Sequence, residues 1–228
     1  MIEVIEVSKV FNQGDPNEFT ALREISLQVR LGEVTVLKGP SGSGKTTLLG
    51  ILGCMGRPTS GRIFLSGREI TSLPERFLTG IRRSTFGFIF QQFNLIKGIT
   101  VLENVMTPAY PTDERFSTLR RRALETLEMF GLEKKAGSRI EWLSGGEAQR
   151  AAIARALINN PSIIIADEPT AHLDTTLSHE FMAIVERLRE TGKTILIASH
   201  DPIVFDSDLM TSRIELRDGC VIRPGSSA

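Results

Sequence analysis

The chain has 228 residues, long enough to bury a sizeable core, which excludes a peptide ligand or a small disulfide scaffold. Apolar residues make up 41% and stand beside 20 glycines, the ordinary balance of a folded globular protein. Lys and Arg total 27 against 27 Asp and Glu, so no net field draws the chain to nucleic acid or an anionic membrane, although local patches can form.

In chain order, apolar residues alternate at Ile2, Val4 and Val7 and again over Ala21 to Val29, predicting half-buried strands in an antiparallel opening. The run Val34, Thr35, Val36, Leu37 is short, β-rich and apolar, as a strand buried on both faces should be. A glycine-rich loop follows at Gly39, and a helix is expected from about Lys45. Ile163 to Ala166 and Thr194 to Ala198 have the same buried-strand texture and alternate with helical stretches, which implies a parallel sheet. Between them, Leu119, Ala123, Leu127 and Phe130 recur at helical spacing while Arg120, Arg121 and Arg122 face elsewhere, and residues 92–159 are expected to form a mainly helical lobe. Asp218-Gly219 between apolar residues predicts a closing hairpin, after which Pro224 to Ser227 should fray. Cys54 and Cys220 make no CxxC pair, so a reducing, cytosolic compartment is expected. No basic segment leads into an apolar one at the N-terminus and no run of about 18 apolar residues occurs, so neither secretion nor a membrane span within this chain is expected.

Gly39, Pro40, Ser41, Gly42, Ser43, Gly44, Lys45 and Thr46 fit GxxxxGK[ST] between a predicted strand and a predicted helix, the context a phosphate-binding loop requires. Glycine lets successive backbone N–H groups converge on an anion, and the new helix adds its positive N-terminal end. Lys45 should reach the β- and γ-phosphates, the Thr46 hydroxyl should ligate Mg²⁺, and Thr47 can donate to the α-phosphate. Asp167 and Glu168 follow a buried strand at its carboxyl end, where α/β sheets bind ligands. Neighbouring strand residues point to opposite sides, so Asp167 would hold Mg²⁺ through water while Glu168 polarises the water that attacks the γ-phosphate. In isolation, an acidic pair before Pro169 is equally a helix N-cap; beside a phosphate loop it completes a Mg-nucleotide site.

Leu143, Ser144, Gly145, Gly146, Glu147, Ala148, Gln149 and Arg150, upstream of the acidic pair, resemble the LSGGQ signature of ATP-binding cassette (ABC) ATPases. The bland alternative is a Ser-capped helix. The resemblance covers nearly the whole chain and implies an α/β fold: a P-loop NTPase core with a mainly parallel sheet, an N-terminal antiparallel β subdomain and a helical subdomain, all in one domain spanning residues 1–228. It further implies that Phe11 stacks on adenine, that Gln91 touches Mg²⁺ and the attacking water, that Asp174 lies on a loop crossing to a second subunit, and that His200 contacts the γ-phosphate. Phe11 is equally readable as a core aromatic, and His172 and His179 match no motif and are expected on the surface or in loops.

Phe90-Gln91-Gln92-Phe93-Asn94-Leu95, Thr100 to Val105 and Arg57 to Gly61 resemble the branch that contains lipoprotein-releasing, macrolide-exporting and cell-division cassettes. Glu147 replaces the usual glutamine of the signature, Ala171-His172 the common Gly-Asn, and Lys97 a frequent proline. The family implies an ATP-dependent head-to-tail homodimer. In it, Ser144, Gly145, Gly146 and Glu147 of one copy cover the nucleotide of the other, and the pair drives an integral membrane permease from the cytoplasmic face. A soluble cassette in DNA repair or translation is the runner-up; those usually carry long coiled coils or two cassettes, and 228 residues suit neither. A small-molecule kinase would lack the signature, and a purely binding module would have no use for Glu168.

Overall fold

The computed structural model describes residues 1–171 and 173–222; His172 and the tail expected to fray lie outside the described residues. The chain begins with β1 (Ile2–Phe11) and β2 (Phe19–Val29), then runs through β3 (Val34–Lys38) into α1 (Lys45–Leu52). β4 (Ser60–Leu65), β5 (Arg68–Glu69) and α2 (Glu75–Thr85) lead to β6 (Phe86–Ile89). α3 (Val101–Met106), α4 (Phe116–Met129) and α5 (Gly145–Leu157) follow in succession, linked by short 3-10 turns. The chain closes with β7 (Ile163–Asp167), α6 (Thr175–Glu190), β8 (Thr194–Ala198), α7 (Pro202–Phe205), β9 (Ser212–Arg217) and β10 (Cys220–Ile222).

Two sheets result. One is antiparallel in the order β2-β1-β4-β5. The other runs β10-β9-β3-β8-β7-β6 and is parallel except for its last hairpin, β9 to β10. That hairpin turns at Asp218 and Gly219, both with positive φ (50° and 78°), the backbone that a two-residue turn of this hand demands.

The buried strands sort their side chains by the two-residue period. Leu37, Ile163, Ile165, Leu196 and Leu216 join α1 and the antiparallel sheet in one core. Val34, Val36, Ile164, Ile195 and Ile197 face Ile153 of α5 and Phe181, Met182 and Val185 of α6 in another. A third cluster holds Val101, Val105, Leu119, Ala123, Leu127 and Leu132 against Ala151, Ala154 and Ile158. α5 therefore packs with two cores at once: Ile153 and Ala156 belong to the sheet, Ala151 and Ala154 to the helices before it. Arg120 and Arg121 are exposed as their spacing predicts. Arg122 differs: it is half-buried, donates to the Ile158 carbonyl at 2.5 Å and pairs with Glu114. His179 is exposed on α6.

Candidate active site

The site is assembled where the strands of the parallel sheet end. Beyond β3 the chain turns through Gly39 to Gly44 and enters α1 at Lys45. Glycine is required twice. A Cβ at Gly39 would lie 2.2 Å from the Leu216 carbonyl oxygen, and Gly44 combines φ 100° with a Cβ position 2.7 Å from the Ala21 carbonyl oxygen. α1 receives no side-chain cap and has no acidic residue in its first turn, so its leading N–H groups and positive end remain available to an anion.

Lys45 is buried; its Nζ donates to the carbonyls of Gly39 (2.7 Å) and Pro40 (3.1 Å) and lies 3.3 Å from Glu168 Oε1. Two strands away across β8, Glu168 follows β7 in a left-handed conformation, φ 46°, with its N–H donating to the Ala198 carbonyl at the end of β8. A non-glycine residue held there is strained, and such strain concentrates at functional positions. The other carboxylate oxygen of Glu168 lies 2.8 Å from His200 Nδ1 and also accepts the His200 backbone N–H at 3.3 Å. Lys45, Glu168 and His200 thus form one continuous polar cluster across three strand ends.

Beside it, the Thr46 hydroxyl donates to Asp167 Oδ1 at 3.0 Å. Burial pushes the Asp167 carboxyl above its ordinary value; the Thr46 hydrogen bond opposes this, and the Glu168 charge reinforces it. A hydroxyl and a carboxylate sharing one spot are the hard oxygen donors that Mg²⁺ takes alongside substrate phosphates, so the donor set fits that cation.

A cleft of about 380 Å³ gathers Pro40, Ser41, Gly42, Ser43, Gly44, Lys45, Thr46 and Thr47 with Gln91, Glu168 and His200. Phe19 and Ala21 of β2 close one side of it. Phe11 does not line this cleft; it stands exposed directly opposite Phe19 in the β1–β2 ladder, with Lys9 Nζ 4.9 Å from its ring centroid. Ser144, Gly145, Gly146 and Glu147 also lie outside it, at the N-terminus of α5. There Ser144 and Glu147 form a capping box: the Ser144 hydroxyl accepts the Glu147 N–H at 3.3 Å, and Glu147 Oε2 accepts the Ser144 N–H at 2.9 Å. That backbone bond, with Lys135 3.4 Å away, keeps the Glu147 carboxyl below the usual range. Asp174 caps α6 by accepting the Leu177 N–H at 2.9 Å, and Leu177 in turn packs where a Gly146 Cβ would be, 2.7 Å from its Cδ2. The signature therefore touches the first turn of α6, the helix that Asp174 caps.

Three contributors were given no role by the sequence reading. Phe19 was hidden because Phe11, its cross-strand partner, answers the same aromatic requirement. Gln149 is buried and donates to the Pro169 carbonyl at 3.1 Å, tying α5 to the residue after Glu168. Arg155 is a buried cation in the run Ala151-Ala152-Ile153-Ala154-Arg155-Ala156; a charge amid such residues demands a partner, and that was the available signal.

Residues 22–171 match the family model described as ABC transporter. This chain belongs to the ABC transporter ATPase family. An ABC transporter ATP-binding protein of Thermotoga maritima is 42% identical over 96% of this chain and 92% of its own length. The macrolide export ATP-binding/permease protein MacB of Chlorobaculum tepidum is 40% identical over 97% of this chain, which spans only 34% of that relative. A bacterial ABC transporter cassette solved as a dimer superposes with a TM-score of 0.88 at 42% identity, covering 98% of this chain and 97% of that one. A post-hydrolysis cassette bound to ADP and Pi matches equally well, with a TM-score of 0.88 at 41% identity. The α/β cassette fold is thereby shown, and with it an ATP-binding, ATP-hydrolysing ABC subunit. Among the described residues no helix is long and apolar enough to cross a membrane.

Proposed function

We propose that this ABC ATPase hydrolyses MgATP in a head-to-tail homodimer and thereby drives a separate integral membrane permease from its cytoplasmic face. The observation that carries the reading is the Lys45–Glu168–His200 cluster at the mouth of the phosphate loop, which assembles an anion anchor, a carboxylate and a histidine around one point. Lys45 and the α1 N-terminus hold the β- and γ-phosphates, with Thr47 on the α-phosphate, and Phe11 stacks on the adenine just beyond the cleft, beside its cross-strand partner Phe19 on the cleft wall. Thr46, Asp167 and Gln91 would hold Mg²⁺, which when bound would supply positive charge to offset that of the phosphates. Glu168 orients a water for in-line attack on the γ-phosphorus as the bond to the β-γ bridging oxygen breaks, giving ADP and phosphate. His200 fixes the carboxylate through its ring and its backbone N–H while reaching the γ-phosphate.

Because the signature lies outside the cleft of its own chain, Ser144, Gly145, Gly146 and Glu147 are assigned to the nucleotide of a second copy, with Asp174 at the crossing. A similar cassette solved as a dimer supports this arrangement. Similarity to a protein named as joined ATP-binding and permease parts, of which this chain spans about a third, supports a permease of the macrolide-export and lipoprotein-release kind. Residues 92–159 act within the single cassette as the helical lobe that turns with the γ-phosphate and receives the permease.

The test is affinity purification of tagged Glu168→Gln protein from detergent-solubilised cells with ATP and Mg²⁺, followed by mass spectrometry. A stoichiometric integral membrane protein is expected. Recovery of ribosomal or DNA-bound material instead would replace the permease with a soluble-cassette role.

A further inference from the structure

Arg155 stands in the last three residues of α5, eleven positions after Ser144 and about 16 Å along the same helix axis. It is 8% exposed, and burial disfavours its charge. A desolvated guanidinium is normally met by a carboxylate; among the described residues no carboxylate lies within ion-pair distance of it, and its hydrogen bonds go to two main-chain carbonyls. Nη1 donates to Asn94 O at 2.5 Å and Nη2 to Phe93 O at 2.6 Å. Those two residues are consecutive, neither is glycine, and both are held left-handed, at φ 57° for Phe93 and 48° for Asn94. Asn adopts that region readily, but bulky Phe93 is strained there unless something outside the loop fixes it. The two-pronged guanidinium is that fixture, because its planar donors hold both carbonyls in one geometry.

The pair begins two residues after Gln91, which lines the nucleotide cleft. The same arginine also lines a separate apolar cleft of about 290 Å³ with Phe86, Phe88, Phe90 and Pro108. We infer that Arg155 is a positioning residue that clamps the Gln91 loop to the signature helix, so that a displacement of α5 is transmitted to Gln91. This rests on the proposed role of Gln91 at the Mg²⁺ and the attacking water. One helix then carries Ser144 at one end, for the partner's nucleotide, and at the other the hold on its own Gln91, with Gln149 tying its middle to Pro169. The capped N-terminus and the two cores that share α5 make it stiff enough to act as one body.

The clamp is tested by a double-mutant cycle in ATPase activity. Arg155→Lys keeps the charge and loses the fork; it should lower kcat about five- to tenfold while the KM for MgATP changes less than twofold. On a Gln91→Ala background the same substitution should change kcat less than twofold, since the clamp then holds nothing that acts. An equal drop in both backgrounds, or a rise in KM that accounts for the loss, would overturn the inference. If Gln91→Ala alone leaves kcat unchanged, the role of Gln91 fails, and Arg155 cannot act through it. Should Arg155→Lys not fold, Asn94→Pro serves: the position is exposed, proline cannot hold φ near 48°, and the acceptor carbonyls move with α5 untouched. That variant should show the same split between kcat and KM, and unaltered kcat would contradict the clamp.

Discussion

α1 and α5 begin alike and end their first turns differently. Each helix is opened by glycines, yet α1 has no side-chain cap, whereas α5 is closed by the reciprocal Ser144–Glu147 box. The leading N–H groups of α1 therefore have a ligand as their natural partner, and they face a cleft already furnished with Lys45, Glu168 and His200. In α5 two donors are satisfied by its own residues, and a carboxylate occupies the place nearest the helix dipole. A helix N-terminus is thus a binding site only to the extent that its own side chains leave it open, and in the proposed dimer the signature would have only its remaining donors, chiefly the Gly145 and Gly146 amides, to offer a second copy.

The largest effect should come from the α1 side. Glu168→Gln should lower kcat by about 10² to 10⁴ while ATP still binds, measured as phosphate release beside equilibrium nucleotide binding. Undiminished turnover would remove Glu168 from the chemistry. Lys45→Ala should weaken ATP binding by about 10- to 100-fold in a calorimetric titration, because a charge-assisted contact is lost and Glu168 is left without its cation. Gly44→Ala forces an alanine to φ 100° against the Ala21 carbonyl and should cost about 2 kcal/mol, read as a lower melting temperature; an unchanged value would mean that the loop has room it does not display.

At the far end of α1, Cys54 offers a pH test of the same packing. Burial pushes its thiol up from 9.0 to about 11, so the folded chain keeps a proton that the unfolded chain loses from about pH 9. The unfolded state then binds fewer protons, and stability falls as pH rises from about 9 to about 11. Cys54→Ala should flatten that decline in denaturant titrations, whereas exposed Cys220 should react with a thiol reagent in the native protein and Cys54 only on unfolding. The smallest effect belongs to α5: Glu147→Gln preserves the capping geometry and removes a negative charge, so the ATP-driven dimer should tighten about two- to fivefold by sedimentation. A weaker dimer would indicate that the carboxylate itself contacts the partner.

How much of this was legible in the sequence depended on how local the cause is. The parallel strands could be read because both faces of Ile163 to Ala166 and Thr194 to Ala198 are buried and leave a continuous apolar run. The phosphate loop could be read because its requirements lie within eight consecutive residues. α2 could not: Leu78 is its one buried side chain, and Arg82 secures it instead through Glu75, Thr79 and the Cys54 carbonyl. The short strands β4 and β5 were missed because only Ile63 among their residues is fully buried, and β5 has only β4 to pair with while β4 pairs with β1, some sixty residues away. The choice between Phe11 and Phe19 turns on a cross-strand register, and the partners of Arg155 turn on the backbone of a loop 61 residues earlier, neither of which any local pattern records.

The central claim, that the signature of one copy completes the nucleotide site of another, is tested most directly by sedimentation of Glu168→Gln with and without MgATP, with tryptophan emission followed on the same samples. Trp142 is the one tryptophan of the chain, is 71% exposed and stands two residues before Ser144. ATP should convert monomer to dimer and shift the emission in step, with both changes abolished by Lys45→Ala. A protein that binds ATP yet sediments as a monomer with unaltered Trp142 emission would contradict the shared site.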